Sequence, residues 1–201
     1  MKTTRLTQLI AGCAAILALS GVVGTAAPAL AAPPIASQTE PGDPLDPRTY
    51  DPESRAFLTL HATGVQRYAC QANGSWLFSD PIADLYAQNS TQNSIGSHYL
   101  NFATGRPVWE FKDGSTVEAA RRATASGGTG NIAALLLQAV VTTAGDDGDR
   151  LVKATWVQRL NPSGGVAPDG ACTPGATIAV PYSTDYVFWA LKAAGEDESD
   201  D

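Results

Sequence analysis

Short runs of alternating apolar and polar residues, separated by turn-forming dipeptides, constrain the fold of this chain more than any other feature. Residues 58–62 alternate in this way, and residues 109–112 do the same. Asn-Gly at 73–74 and Asp-Gly at 113–114 are strong signals for tight hairpin turns. No strand–helix–strand pattern typical of a parallel sheet is present. The sequence therefore predicts an all-β fold, a mainly antiparallel sandwich or barrel.

Two apolar segments qualify this prediction. Residues 132–141 are apolar without a clear period, so periodicity does not separate a buried strand from a buried helix. We therefore allow one short helix near 131–143. Residues 186–191 are apolar on both faces, which is typical of a strand with neighbours on both sides.

The first 31 residues have the pattern of a secretory signal peptide. A basic start with Lys2 and Arg5 precedes the apolar run 9–23, and alanines at 29 and 31 suit a cleavage site. We expect the protein to be secreted and extracellular once this leader is removed. The apolar run is too short and too interrupted by glycine to remain as a membrane span.

A lipoprotein leader is the alternative, because residues 9–13 resemble a lipoprotein cleavage box that would leave Cys13 lipidated. Only a few residues separate Arg5 from Cys13, and the apolar run continues beyond that cysteine. A signal peptide normally has about 7–15 apolar residues before the cut. This spacing disfavours the lipoprotein alternative.

Removal of the leader leaves two cysteines, Cys70 and Cys172. In an exported chain the simplest expectation is that they form one disulfide bond. A reactive thiol pair is the alternative, but the two residues lack the C-x-x-C spacing of a redox motif. The disulfide requires two segments about a hundred residues apart in sequence to be neighbours in the fold.

Composition divides the mature chain into three parts. Residues 32–52 contain six prolines and predict an extended linker, whereas 195–201 form an acidic tail that predicts disorder. Residues 53–194 then make one β domain. The mature chain has eleven basic and 20 acidic residues, a net charge of −9, and no cluster of Lys and Arg. Nucleic acid is therefore disfavoured as a partner.

Many short motifs occur in an order that resembles the secreted family catalogued as domain of unknown function 3455, over about 57–190. They are Gly64-Val65-Gln66-x-Tyr68-x-Cys70, Trp76-x-Phe78, Gly96-x-His98-Tyr99, Pro107-x-Trp109, Trp156-Val157-Gln158-Arg159-Leu160 and Pro181-Tyr182-x-x-Asp185-Tyr186. The resemblance implies an exported single-domain protein and brings no catalytic residues with it. The sequence departs from the family at 132–134, where Ile-Ala-Ala replaces Ile-Pro-Trp.

Cofactor and metal chemistry find little support in the sequence. Residues 128–133 fit G-x-G-x-x-A, but a dinucleotide site needs these glycines between a buried strand and a helix. We therefore expect no cofactor and disfavour the malate dehydrogenase label that some fungal relatives carry. The acidic turn at 146–149 lacks the spacing of a calcium loop, so no metal site is predicted.

Catalytic candidates are weak. A hydrolase would use His98 with Asp113 or Asp185 as its acid, yet the sequence has no G-x-S-x-G nucleophile motif. The simpler roles are a structural histidine at 98, an Asp-Gly turn at 113, and a structural ion pair between Asp185 and Arg159.

Ligand-binding candidates are the aromatic residues with polar tips and their polar neighbours. We predict that a pocket near His98 is lined by five residues: Tyr99, Gln158, Arg159, Tyr182 and Tyr186. The sequence thus favours a non-catalytic binding or envelope-associated module for an unknown small molecule, glycan or protein. The alternative is a secreted hydrolase that uses His98.

Overall fold

The computed structural model describes residues 42–88 and 90–192. The predicted signal peptide, the lipoprotein alternative at Cys13 and the acidic tail lie outside the described residues. Within them, no helix is long and apolar enough to cross a membrane.

Eight antiparallel strands form a closed barrel in which each strand pairs with the next and the last pairs with the first. This confirms the all-β antiparallel prediction and selects the barrel over the sandwich. The strands are β1 (Ser54–Cys70), β2 (Trp76–Ala87), β3 (Gly96–Asn101), β4 (Arg106–Phe111), β5 (Thr116–Ala125), β6 (Ala134–Thr143), β7 (Trp156–Gly164) and β8 (Thr177–Leu191).

The barrel has two different ends. The connections 71–75, 102–105, 126–133 and 165–176 lie at one end, which we call the open end. At the opposite, closed end, the β6–β7 connection folds over the barrel and buries Leu151 and Ala154 in the inner core. Because side chains fill the closed end, the space that remains inside the barrel lies at the open end.

Strand alternation separates an inner core from an apolar patch on the outside of the barrel. Inside, Leu60, Leu85 and Phe188 are fully buried in the main cluster. Outside, Trp156 and Trp189 belong to a second cluster on the wall formed by β6, β7 and β8. The barrel wall is therefore apolar on both faces in this region.

Strand β6 resolves the ambiguity at 131–143, and the helix alternative is wrong. Leu135 and Leu137 pack with the inner core, whereas Ala134 and Leu136 pack in the outer cluster. A strand buried on both faces loses the alternation by which strands are recognised, because both sets of side chains are apolar.

The outer cluster is covered by residues 42–53, which we call the N-terminal strap. It contains a short 3-10 helix, Pro47–Thr49, whose N-terminus is capped by Asp46. Leu45 is buried against the barrel, and Tyr50 packs on Trp156 with ring centroids 5.4 Å apart. Residues 42–52, part of the segment expected to be a linker, therefore pack on the barrel: the prolines prevent a regular strand but do not prevent packing.

The disulfide expected between Cys70 and Cys172 is present and confirms that prediction. Cys70 ends β1, and Cys172 lies in the β7–β8 connection, with their Cα atoms 5.8 Å apart. Two backbone hydrogen bonds flank the link, from the Cys172 amide to the Gly74 carbonyl and from the Gly175 amide to the Cys70 carbonyl. The disulfide thus fastens two connections of the open end to each other.

Replacement of both cysteines by serine tests the contribution of this link. Its ends are 102 residues apart, so it removes much of the freedom of the unfolded chain. We expect Cys70→Ser/Cys172→Ser to lower the free energy of unfolding by about 4 kcal/mol in equilibrium urea unfolding. A loss well below about 1 kcal/mol would contradict this chain-entropy account.

Candidate functional site

A cavity of about 700 Å³ lies inside the barrel at its open end. Most of its wall is apolar and comes from inward-facing residues of several strands and from the β5–β6 connection. The apolar part of this wall includes Leu100, Pro107, Ile132, Leu135 and Leu137. The cavity can therefore accept an apolar body.

Three aromatic rings make the deepest part of the cavity, which we call the floor. The rings of His98 and Trp109 are stacked, with centroids 4.6 Å apart and an interplanar angle of 14°. Tyr186 stands edge-on to Trp109 at 5.1 Å and is tilted against His98 at 5.0 Å. Each residue is almost fully buried, so this floor is rigidly packed.

His98 is a neutral imidazole in this setting. Its Nδ1 donates a hydrogen bond to the Val108 carbonyl oxygen at 2.8 Å, which leaves Nε2 as an acceptor. Burial lowers the pKa of His98 to about 3, although the bond to Val108 acts in the opposite direction. The ring therefore stays uncharged at neutral pH and presents one lone pair.

Four buried polar atoms at or beside the floor have no well-oriented hydrogen-bond partner. They are Gln66 Nε2, Trp109 Nε1, Tyr182 Oη and Tyr186 Oη. Gln66, Trp109 and Tyr186 line the cavity, and Tyr182 interacts with Tyr186 and Gln66 next to it. A buried polar atom without a partner costs about 1–3 kcal/mol, so such a group is normally satisfied by water or a ligand.

Arg159 adds a positive charge to this site. On β7 it pairs in register with Tyr186 of β8 and with Leu135 of β6, which sets its side chain on the inner face. Its Nε donates to the Ala133 carbonyl oxygen at 2.9 Å. Burial raises the pKa values of the Tyr182 and Tyr186 hydroxyls, while the charge of Arg159 acts to lower them. Both hydroxyls are therefore protonated at neutral pH.

A family model described as "Protein of unknown function (DUF3455)" matches residues 52–190. The chain belongs to this family. The match runs from just before β1 almost to the last residue of β8, so it covers the whole barrel and the cavity. No curated protein and no solved structure matches the chain.

The structure brings together four of the residues predicted from the sequence of this DUF3455 domain. His98, Arg159 and Tyr186 line the cavity, and Tyr182 lies beside it. These residues share the inner face because directly paired residues project to the same side of a sheet: His98 pairs with Trp109 of the inner core, and Arg159 pairs with Tyr186. Tyr182 lies four positions before Tyr186 on the same strand and so faces the same way.

Two predicted pocket residues, Gln158 and Tyr99, lie on the outside of the barrel instead. Gln158 donates from Nε2 to the Leu45 carbonyl at 2.5 Å and accepts from Trp189 Nε1 at 2.6 Å. Tyr99 donates its hydroxyl to Glu110 Oε2 at 3.0 Å. Consecutive residues of a strand point to opposite faces, so neither can share a pocket with its neighbour Arg159 or His98.

The proposed acids of a hydrolase make their hydrogen bonds elsewhere and not with His98. Asp113 lies in the turn at the closed end and accepts from the Ser115 amide at 2.8 Å and the Arg150 amide at 2.9 Å. Asp185 faces outward and accepts from His61 Nδ1 at 2.9 Å rather than from Arg159. The structure thus gives Asp113 and Asp185 partners other than His98, and Asp185 pairs with His61 rather than with Arg159.

Two residues of the cavity, Trp109 and Gln66, do not stand out as site residues in the sequence. A tryptophan on an apolar strand face indicates general core packing, and a single glutamine in a strand does not by itself indicate a functional site. Gln66 nevertheless has the same strand parity as Leu60 and Ala62, both fully buried in the inner core. The signal that marks the site is thus a polar residue on the same face of a strand as buried core residues.

Metal and dinucleotide motifs do not form sites in the described part of the chain. Residues 42–88 and 90–192 contain no group of three His, Cys, Asp or Glu side chains placed to hold a metal ion. The glycine-rich motif at 128–133 lies in the β5–β6 connection and leads into a strand, whereas a dinucleotide site needs a helix there.

The neutral state of buried His98 predicts a specific pH dependence of stability. The unfolded chain binds a proton at this histidine below pH ~6.5, whereas the folded ring stays neutral down to about pH 3. Stability from this group is complete above pH ~6.5 and falls by about 1.4 kcal/mol per pH unit below it. Urea unfolding between pH 7 and 4 should show a shallower slope in His98→Asn than in the wild type. Equal slopes would contradict the assignment.

The unpartnered hydroxyl of Tyr186 predicts an unusual stability effect. Tyr186→Phe removes a buried oxygen that has no well-oriented partner, so we expect the free energy of unfolding to rise by about 1 kcal/mol. Tyr68→Phe is the matched comparison, because the Tyr68 hydroxyl donates to the Gly165 carbonyl at 2.6 Å. That variant should lose about 1 kcal/mol in the same thermal or urea unfolding measurement. Equal losses in both variants would show that the Tyr186 hydroxyl is already satisfied.

Proposed function

We propose that this protein is a secreted, non-catalytic binding module that holds one small organic molecule in the cavity at the open end of its barrel. Secretion is supported by the leader pattern of the sequence and by a disulfide between its two remaining cysteines. The binding role is supported by the chemistry of the cavity.

The observation that carries this proposal is the cavity itself. It offers about 700 Å³ of largely apolar space at the open end of the barrel, where a core built only for stability would be filled by side chains. Polar side chains also line it, among them Gln66, His98 and Arg159. A mostly apolar cavity with a few polar side chains in its wall has the usual composition of a small-molecule site.

A small organic molecule fits this cavity better than water alone or a long glycan. Water forms hydrogen bonds only with the polar groups of the cavity, and it gains nothing from contact with the apolar wall. Space lined only by apolar groups tends to stay dry. A glycan chain is held along an extended groove, whereas this space is one cavity between the strands at the open end of the barrel. The cavity volume of about 700 Å³ lies within the usual range for small-molecule pockets, about 300–1,000 Å³. Eight-stranded barrels can hold one small ligand inside.

The chemistry of the floor favours binding over turnover. His98 is neutral, uses Nδ1 for a backbone hydrogen bond, and has no carboxylate partner among the described residues. A general base of this kind needs a third group that orients and supports it when it accepts a proton. The acids that the sequence suggested for this role lie at the closed end and on the outer face.

A fluorescence titration with N-phenyl-1-naphthylamine tests the proposal. This neutral, apolar dye has one N–H group and emits strongly only in apolar surroundings. We expect saturable binding at one site per chain, accompanied by partial quenching of the tryptophan emission, because Trp109 lines the cavity.

Two matched tryptophan variants locate the dye. Thr124 is exposed and lines the cavity rim, so Thr124→Trp should block entry and weaken binding at least about tenfold. Thr177 is exposed on a strand at the same end but does not line the cavity, so Thr177→Trp should bind like the wild type. No saturable binding, or equal binding by both variants, would refute the proposal.

A further inference from the structure

The charge lining the cavity is opposite to that of the chain. The whole chain has 13 basic and 20 acidic residues. Within the described residues, the cavity is lined by Arg106, Arg121 and Arg159 and by no acidic side chain. An acidic protein that collects positive charge around one cavity has a local potential that attracts anions.

The three arginines are not equivalent. Arg106 forms an ion pair with Glu118 at 3.3 Å, so its charge is already compensated. Arg121 and Arg159 have no carboxylate within ion-pair distance in the described ranges 42–88 and 90–192. Arg121 is exposed near the rim, whereas Arg159 is partly buried and in register with Tyr186 of the floor. Arg159 is therefore the uncompensated charge that lies deepest.

The guanidinium of Arg159 has donors left for a ligand. Its Nε–H is used by the Ala133 carbonyl at 2.9 Å, and the guanidinium also interacts with the Tyr186 hydroxyl, so N–H groups remain from the five that it carries. The edge of a guanidinium that holds two terminal nitrogens matches the two oxygens of a carboxylate.

The lining of the cavity also favours a ligand with a negatively charged end and an apolar body. Arg159 is the partly buried charged group of this lining, and no acidic side chain among the described residues lines the cavity with it. The apolar wall above the floor, which includes Leu100, Leu135 and Leu137, complements an apolar body.

We infer that the molecule bound in the cavity is an organic carboxylate, with its anionic group at Arg159 and its apolar body along the barrel wall. This inference rests on the proposed function and adds to it the chemical class of the ligand and the residue that selects it. Arg121 at the rim assists the entry of the anion, and Arg159 holds it.

A pair of dyes with one shared skeleton tests the charge requirement. 8-Anilino-1-naphthalenesulfonate and N-phenyl-1-naphthylamine differ only in the sulfonate of the first. We expect the wild type to bind the sulfonate more tightly. Arg159→Met should weaken sulfonate binding about 10- to 100-fold and change binding of the neutral dye by less than about threefold.

Two further variants control for fold and for net charge. Arg159→Lys keeps the charge but loses the two-pronged contact, so it should recover part of the sulfonate affinity. Arg122→Met removes the same charge from the outer surface of β5, where Arg122 is exposed and lies over the Tyr50 ring of the strap at 4.8 Å. It should bind both dyes like the wild type.

Competition with a carboxylate and its amide extends the test without any mutation. Naphthalene-1-acetate should displace N-phenyl-1-naphthylamine from the wild type at a concentration at least about tenfold lower than naphthalene-1-acetamide. This comparison decides the matter even when Arg159→Met fails to fold.

The outcomes separate the two proposals. If neither dye binds the wild type saturably, the proposed function itself fails. If the neutral dye binds but the carboxylate has no advantage over its amide, the binding function stands and the anion inference is overturned. Equal weakening of both dyes by Arg159→Met would also overturn it, because Arg159 would then only shape the cavity.

Discussion

The pairing of β1 with β8 is the constraint on which the rest of this structure depends. These are the two longest strands, and they stay in register from Ser54 opposite Leu191 to Ala69 opposite Thr177, with one irregularity near Ala56. Closure gives every strand a paired neighbour on each side and gives each strand residue a defined inner or outer face. The disulfide then fastens the end of β1 to the connection that leads into β8.

Closure also creates more interior than the side chains at the open end can fill. At the closed end, Leu151 and Phe188 complete a continuous apolar core. At the open end, inward positions are occupied by Gln66, His98 and Arg159, which leave a cavity with polar groups around it. The two ends of one barrel thus divide stability and binding between them. The closed end buries the apolar surface that stabilises the fold, and this offsets the smaller apolar burial at the open end, where polar side chains occupy inward positions.

Several features of the fold can be predicted from the sequence because they depend on local patterns, whereas others depend on long-range packing. The Asn-Gly and Asp-Gly turns at 73–74 and 113–114 indicate hairpins, and cysteine counting gives the disulfide. Consecutive residues of a strand face opposite sides, and this rule alone places Gln158 and Arg159 on different faces of the barrel wall. Their polar side chains, considered without that rule, suggest a shared pocket. The strap, in contrast, covers the outer face of β6 to β8 and buries Leu136 and Trp156 where an isolated barrel would show polar residues. That cover removes the alternation of β6, and no local pattern in the proline-rich segment indicates its packing.

The wall of this barrel is a single layer of backbone, and Gln158 and Arg159 occupy adjacent positions in it. The first anchors the strap through the Leu45 carbonyl, and the second contributes a cation to the interior. The peptide plane between them cannot rotate for one residue without turning the other. A substitution of Gln158 on the outer surface of β7 therefore releases a contact of the strap from the backbone that positions Arg159, so the outer face of that strand is a poor place for surface engineering.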